Sequence, residues 1–526
     1  MLAASTFLAF TAFVAGYSWF RLRKENLKSR DGYFLGGRSL SGIVIAGSML
    51  LTNLSTEHLI GMNGSAYKNG VIVMAWEVTS AFALVFGALY FIPKYLKMGL
   101  TTIPEYLEQR FDPATRSLVA SLLLISFAVT LLPIVLYTGA INLESIFDIS
   151  NVLGVSYKQG LWLTVVAIGA IGSVYAIFGG LKAVAISDTV NAYGLLIGGI
   201  AIPVLAFFSI GDGNLFSGVS RVYHFSPEKF NPIGSHDSIL PFEVLFTGLM
   251  INQIYFWCMN QTIIQRSFGA KSLAEAQKGL LYTGLLKTLV PLIIVIPGVI
   301  GFYYFGDSLY EKQDLVYPML VKKVLPPGFS GIFAAVVMGA VLSTFNSVLN
   351  SAATIFSIDI FQRHIDKEAS DLRLVRSGKT VSVILAVTAI IVAPFIANAP
   401  EGLYQLMQQL NGIFFIPIAS IMLAGFFTRK ISAAGAKAAL ISGMLLYILS
   451  TFILKLKIHF VHIWGIEFVI NMLIMYVVSY FIPNQKTNAL HEGKHVTLIT
   501  WKYANHFAVG LCLFAVGIYI FLAVIS

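Results

Sequence analysis

Charge is scarce in this chain. Only 11% of its residues are Asp, Glu, Lys or Arg and its mean hydropathy is +0.79, whereas soluble domains carry about 25% charged residues. So few ionised side chains cannot coat a water-soluble globule of 526 residues, which excludes a soluble enzyme or binding module. Cysteine is scarcer still. Cys258 and Cys512 both lie in apolar stretches, so there is no disulfide framework in an outer loop and no thiolate metal site. Low-complexity tracts and long polar blocks are also missing. The longest polar connection, about Ser209 to Ser238, carries Gly211, Gly213, Gly218, Pro227, Pro232 and Gly234 and reads as an irregular surface loop. No nucleophile–base pair of a hydrolase stands out. His491-Glu492-Gly493-Lys494-His495 fits the zinc pattern H-E-x-x-H, in which a stable helix sets two His one turn apart. Here a glycine interrupts the pattern in a polar link, and the match reads as chance.

What the chain has instead is apolar length, with 57% hydrophobic residues. At about 20 residues per crossing, hydropathy predicts an all-α multi-pass membrane protein with about fourteen spans. They begin near residues 1, 40, 71, 117, 158, 183, 239, 276, 327, 374, 402, 432, 461 and 506. The net charge of +10 is unevenly spread: Arg21, Arg23, Lys24, Lys28 and Arg30 follow the first span, and Arg363, Lys367, Arg373, Arg376 and Lys379 follow the ninth. Cytoplasmic loops collect Lys and Arg, so both termini are expected outside. The basic residues orient the chain in the lipid bilayer and give no sign of a nucleic-acid partner. In the first twenty residues the charges follow the apolar stretch, the reverse of a secretory signal, so a retained first span is expected. The loop 362–379 mixes both signs at helical spacing and reads as a solvated connecting helix.

Two charges fall inside spans, Glu77 within 71–92 and Lys287 within 279–305. An ionisable group in hydrocarbon costs at least about 2.5–3.5 kcal/mol and marks a functional site by default. Counting 1.5 Å per residue from the span ends in a core about 30 Å thick puts the two at depths differing by about 7 Å. They either line a solute or proton path or neutralise each other as scaffold. Two further segments place small and hydrogen-bonding residues where a crossing should be apolar, Gly47 to His58 and Ala340 to Ser347. Broken helices whose freed carbonyls hold ions have this composition, and so does close helix packing through small residues.

The segment Trp257 to Gly279, WCMNQTIIQRSFGAKSLAEAQKG, closely resembles the signature of the sodium/solute symporter family, in its sodium–glucose cotransporter branch that includes bacterial sodium/galactose symporters. The resemblance extends over Asn53 to Ser80, the Gly179-Gly180-Leu181 and Asp188 region, Lys287 and Ala340 to Asp359. It implies a leucine-transporter-type core of two inverted five-helix repeats, at 33–210 and 239–430. Around it lie a first helix and basic inner loop at 1–32, an outer loop at 211–238 and three peripheral helices at 431–526. It implies solute contacts from His58, Glu77, Ser80, Gln253, Lys287 and Gln408, and gating by Phe256 and Trp257. Sodium, the co-transported ion, would be held by the carbonyls of Leu51, Leu54 and Ala340 and the hydroxyls of Ser343 and Thr344. Asp188 would lie on the sodium exit route, although after Ser187 it also suits a helix N-cap. Two positions depart from the bacterial galactose symporters, which have Gln at His58 and a gating Tyr at Phe256. The function implied is not enzymatic. It is sodium-coupled uptake of a galactose- or glucose-like hexose across the cell membrane by alternating access, with another polyol or a carboxylate solute as the alternative substrate. A sodium-permeable channel or membrane sensor would share the spans without needing a saturable site built on both Glu77 and Lys287.

Overall fold

The computed structural model describes residues 2–23, 27–398, 403–483, 493 and 496–526. Among them the chain is all-helical, with only two isolated β-bridges, Leu40 to Ala270 and Ser272 to Thr497. In chain order the principal helices are α1 (Leu2–Leu22), α2 (Gly42–Asn53), α3 (Glu57–Met98), α4 (Pro113–Phe147), α5 (Tyr157–Ile210), α6 (Gly248–Cys258), α7 (Gln261–Phe268), α8 (Leu273–Phe305), α9 (Gly328–Ile365), α10 (Asp371–Ile396), α11 (Leu403–Phe427), α12 (Ala433–Ile453), α13 (Phe460–Phe481) and α14 (Ala504–Ile525).

Ten segments among the described residues are helical, long and apolar enough to cross a bilayer, against the fourteen expected from hydropathy. Two of the shortfalls have a local cause. The apolar runs near residues 40 and 239 each contain a break: α2 and α6 are only 12 and 11 residues long, too short for a 30 Å core. The run near residue 1 is helical as α1, and that near 158 forms the first part of α5.

Each break has a chemical origin. After Asn53 the backbone leaves the helix at Leu54 (φ −84°, ψ 81°), and the Ser55 N–H turns back to Asn53 O (3.1 Å). After Cys258, Met259 and Asn260 both donate to Tyr255 O, and the Asn260 side chain caps Thr262 N at 3.0 Å to start α7. Within α5, Gly180 takes φ +60° and splits the 54-residue element in two. A Cβ there would lie 2.7 Å from Tyr33 O, so only glycine fits.

Helix α5 packs on α9, α2 and α8, and α2 also packs on α8 and α9, while α11 packs on α12 and α13. Peripheral α14 turns Phe521 and Val524 outward, 63% and 78% exposed, as lipid-facing residues must be. The loop 362–379 is non-helical only across 366–370 and then enters α10.

Candidate solute and ion site

The two breaks, with α8, α9 and α11, surround a cavity of about 720 Å³. His58, Glu77, Gln253, Phe256, Trp257, Lys287, Thr344 and Gln408 line it. Lys287 Nζ donates to Glu77 Oε2 and to Asn53 Oδ1, and sits 5.5 Å from the Trp257 ring centroid, within cation–π range. Both members of the ion pair are 1% exposed. The two readings of these charges therefore coincide in space: they contact each other, and they face a cavity.

Around that pair the polar groups interlock. Gln253 Nε2 donates to Trp76 O (2.7 Å) and Thr79 Oγ1 (3.1 Å), and Trp257 Nε1 donates to Gln253 Oε1 (3.1 Å). The His58 ring lies between two carboxylates, with Nε2 3.7 Å from Glu77 Oε1 and Nδ1 3.6 Å from Glu57 Oε1. It also meets Tyr404 edge-on at 5.2 Å. Gln408 Nε2 reaches Tyr404 Oη at 3.4 Å. Ser80 differs from the other five expected solute residues. It is fully buried, its hydroxyl donates to Glu77 O one turn back, and it does not line the cavity.

Several cavity residues carry no signal strong enough to be singled out from sequence. Asn53, Glu57, Asn252, Tyr404 and Asn411 all line it, and Glu57 Oε2, Asn252 Oδ1 and Asn411 Oδ1 are buried without a hydrogen-bond partner. Spacing could have found two of them: Tyr404 and Asn411 stand four before and three after Gln408, on the same helix face. Buried acceptors without donors are costly, and in a cavity they are what a ligand rich in hydroxyls would satisfy.

Next to the cavity is a set of hard oxygen atoms. The break in α2 diverts the N–H groups of Ser55 and His58 to Asn53 O and Ser55 O, away from the Leu51 and Leu54 carbonyls that a continuous helix would pair them with. From α9, Thr344 Oγ1 donates to Thr52 O (2.9 Å), while Ser343 Oγ is buried beside the Asp188 carboxylate. Leu51, Leu54 and Ala340 are all fully buried. Neutral hydroxyls and carbonyls are the donor class for a hard monovalent cation. Among the described residues no group of three His, Cys, Asp or Glu could hold a metal ion, and four of the five residues of the H-E-x-x-H match lie outside the described ones.

Asp188 is interior to α5, eight residues past its kink and 0% exposed, so the N-cap reading is corrected: the segment after Ser187 does not start a helix. Its Oδ2 accepts from Ser48 Oγ at 2.6 Å and lies 3.8 Å from the Arg266 guanidinium. Arg266, which sequence reasoning gave no role, also donates to Ser48 Oγ (3.0 Å), Thr262 O and Ser347 Oγ. Ser347 Oγ in turn pairs with Thr52 Oγ1 (3.0 Å). A continuous polar chain thus runs from Asp188 through α7 to the broken end of α2.

Comparison with known proteins bears on this arrangement. The description "sodium:solute symporter family" matches residues 33–443. The chain is 43% identical over 518 residues to the uncharacterized symporter YidK of Escherichia coli K12, covering 98% of this chain and 90% of that protein. It is 32% identical to the sodium/glucose cotransporter of Vibrio parahaemolyticus, covering 79% and 78%. It is 29% identical to the human sodium/myo-inositol cotransporter, covering 80% and 62%. A substrate-bound, outward-open sodium-coupled sialic acid symporter superposes with a TM-score of 0.76 over 93% of this chain and 99% of that one, at 19% identity. A nucleobase-cation-symport-1 transporter superposes at 0.55 and 15% identity, covering 88% and 98%. At these identities the two structures speak for the fold alone.

Proposed function

The chain belongs to the sodium:solute symporter family, and we propose that it carries a galactose- or glucose-like hexose into the cell together with sodium. It is a sodium-coupled multi-pass membrane transporter of the cell membrane, whose solved relatives in fold are sodium symporters. The observation that carries the hexose reading is the cavity itself. A carboxylate, an ammonium, an imidazole and two amides converge on one space, from His58, Glu77, Lys287, Gln253 and Gln408. A sugar presents donors and acceptors around its whole ring, and this set offers both. Trp257 and Phe256 supply flat apolar faces for its C–H surface.

A charged carboxylate solute suits this cavity less well, because Lys287 already has an anionic partner in Glu77. A cyclic polyol is the second reading, supported by relatives named sodium/myo-inositol cotransporters. Sodium is held, in this reading, by the carbonyls of Leu51, Leu54 and Ala340 and the hydroxyls of Ser343 and Thr344, with Asp188 on the way out. Its binding pins α2 to α9 and favours the outward-open state. Release to the inside lets the two helices part and the solute leave. The finer architecture belongs to the same proposal: fourteen crossings, inverted repeats at 33–210 and 239–430, and both termini outside.

Purified protein in proteoliposomes, given labelled galactose, glucose and myo-inositol with and without an inward sodium gradient, tests this. Gradient-dependent hexose accumulation is the expected result. Sodium-driven uptake of myo-inositol alone would establish the second reading, and sodium-independent flux of all three would overturn both.

A further inference from the structure

Glu467 is an ionisable group inside the membrane that neither the solute cavity nor the ion site uses. It stands seven residues into the 22-residue α13 and is 2% exposed, about 10 Å from that end of the helix at 1.5 Å per residue. Phe460, Trp464, Glu467, Asn471 and Met475 form the buried stripe of α13, which packs against α11, α12 and α6. Asn471 Nδ2 donates to Glu467 Oε1 (3.4 Å) and to Ser420 Oγ of α11 (3.3 Å). Glu467 Oε2 and Asn471 Oδ1 are buried with no donor at all.

No cation compensates the carboxylate among the described residues. Helices α6 and α11 and the 449–453 turn of α12 contain no Asp, Glu, Lys, Arg or His. Lys437 of α12 is bound to Asp112 (2.7 Å), and His462, the other titratable ring on the first turns of α13, is bound to Thr247 (3.1 Å). From α12 the titratable group facing Glu467 is Tyr447. An ionised carboxylate with one oxygen lacking a donor, beside the donorless Asn471 Oδ1, is among the least tolerable arrangements in a bilayer. One O–H on Oε2 removes the charge and supplies the donor that the cluster lacks. We propose that Glu467 is a proton-binding site, carried as the neutral acid, and that its proton holds α13 onto α11.

This junction touches the solute cavity. Trp464, one turn before Glu467, meets Trp76 edge-on at 6.1 Å, next to Glu77. Its indole and the Tyr447 hydroxyl fill the space over Gly412, where a Cβ would lie 2.2 Å and 2.8 Å from them. Gly412 follows Asn411 on the helix that carries Gln408. Loss of the proton loosens that wall, so solute affinity falls several-fold at alkaline pH. The inference does not depend on which solute is carried.

The test uses full-length purified protein in sodium-free buffer, by infrared spectroscopy and thermal unfolding. The expected result is a carboxylic acid C=O band at neutral pH, lost on alkalinisation together with a fall in melting temperature. Glu467→Gln, which copies the neutral acid, should fold, lack the band and show a flatter pH dependence. Persistence of the same band in Glu467→Gln, or its absence from the wild type, overturns the proposal. So does loss of the wild-type band on adding sodium at neutral pH, which would make the site a cation site. Absence of the band from the wild type overturns the proposal whether or not the variant folds.

Discussion

Among the described residues three carboxylate–cation pairs are buried, Arg116 with Asp359 being one, and the other two are built to opposite specifications. Glu77 and Lys287 touch directly, face an open cavity, and are surrounded by acceptors that lack donors. Asp188 and Arg266 stand 3.8 Å apart with Ser48 bonded to both. Neither lines the cavity, and the guanidinium's remaining bonds go to Thr262 O and Ser347 Oγ. Lysine is a compact point charge on a flexible stem, whereas arginine is a rigid fork that fixes several partners at once. The first pair can exchange its bonds with a solute; the second joins four helices, α2, α5, α7 and α9, and cannot let go without leaving buried charge behind.

That contrast predicts the largest effect for Arg266. Arg266→Met leaves Asp188 uncompensated and removes bonds to α2, α9 and its own helix, so a loss of about 3–5 kcal/mol in stability is expected. Thermal unfolding in detergent reads it. Asp188→Asn combined with Arg266→Met should recover part of that loss, since neither charge is then buried alone. Wild-type stability in Arg266→Met would erase the distinction between the two pairs.

For the cavity pair the expected loss lies in binding. Glu77→Gln and Lys287→Ala should insert and fold, with solute affinity weakened by about 1–3 kcal/mol, roughly 5- to 150-fold. The double variant separates site from scaffold. Unchanged solute affinity together with stability rescued in the double variant would mean that this pair, too, is structural and that the solute binds elsewhere.

Much of this arrangement was readable beforehand because hydrocarbon makes charge conspicuous. Glu77 and Lys287 stood out against apolar runs, and five of the six expected solute residues line one cavity. Ser80 does not line that cavity, and its spacing on the helix does not say that its hydroxyl turns back to Glu77 O. Arg266 was overlooked for a related reason: it lies in a short helix after a break, where hydropathy no longer distinguishes a span from a loop. The breaks after α2 and α6 account for two of the four runs that fall short of a long helix, since a hydropathy window averages across two or three unwound residues. Glu467 escaped attention because a single acid near one end of a span resembles an end residue until the packing is known.

A smaller effect is expected at the ion site. Ser343 Oγ is buried and its side-chain interaction is with the Asp188 carboxylate, so Ser343→Ala should lower the melting temperature only slightly. It should raise the sodium concentration needed for half-maximal transport, and solute affinity should fall only in saturating solute-and-sodium linkage, by the same factor that solute affects sodium. Identical sodium dependence in variant and wild type would remove Ser343 from the ion site.

The smallest effect should come from His58→Gln, and it sharpens the comparison most finely. The imidazole sits between Glu57 and Glu77 without a good hydrogen bond to either: its Nδ1 is buried and unpartnered, and its Nε2 is 3.7 Å from Glu77 Oε1. It therefore contributes little to the scaffold and is placed to bond a solute hydroxyl. Glutamine keeps a donor and an acceptor on a side chain of similar reach, so transport should persist with an altered preference among hexoses. His58→Leu keeps bulk but leaves those hydroxyls unpaired, and most transport should be lost. Uptake of a panel of labelled sugars by the two variants reads the difference. Equal activity in both would show that His58 packs against Tyr404 and does nothing more, leaving the solute to the Glu77–Lys287 pair and the amides of Gln253 and Gln408.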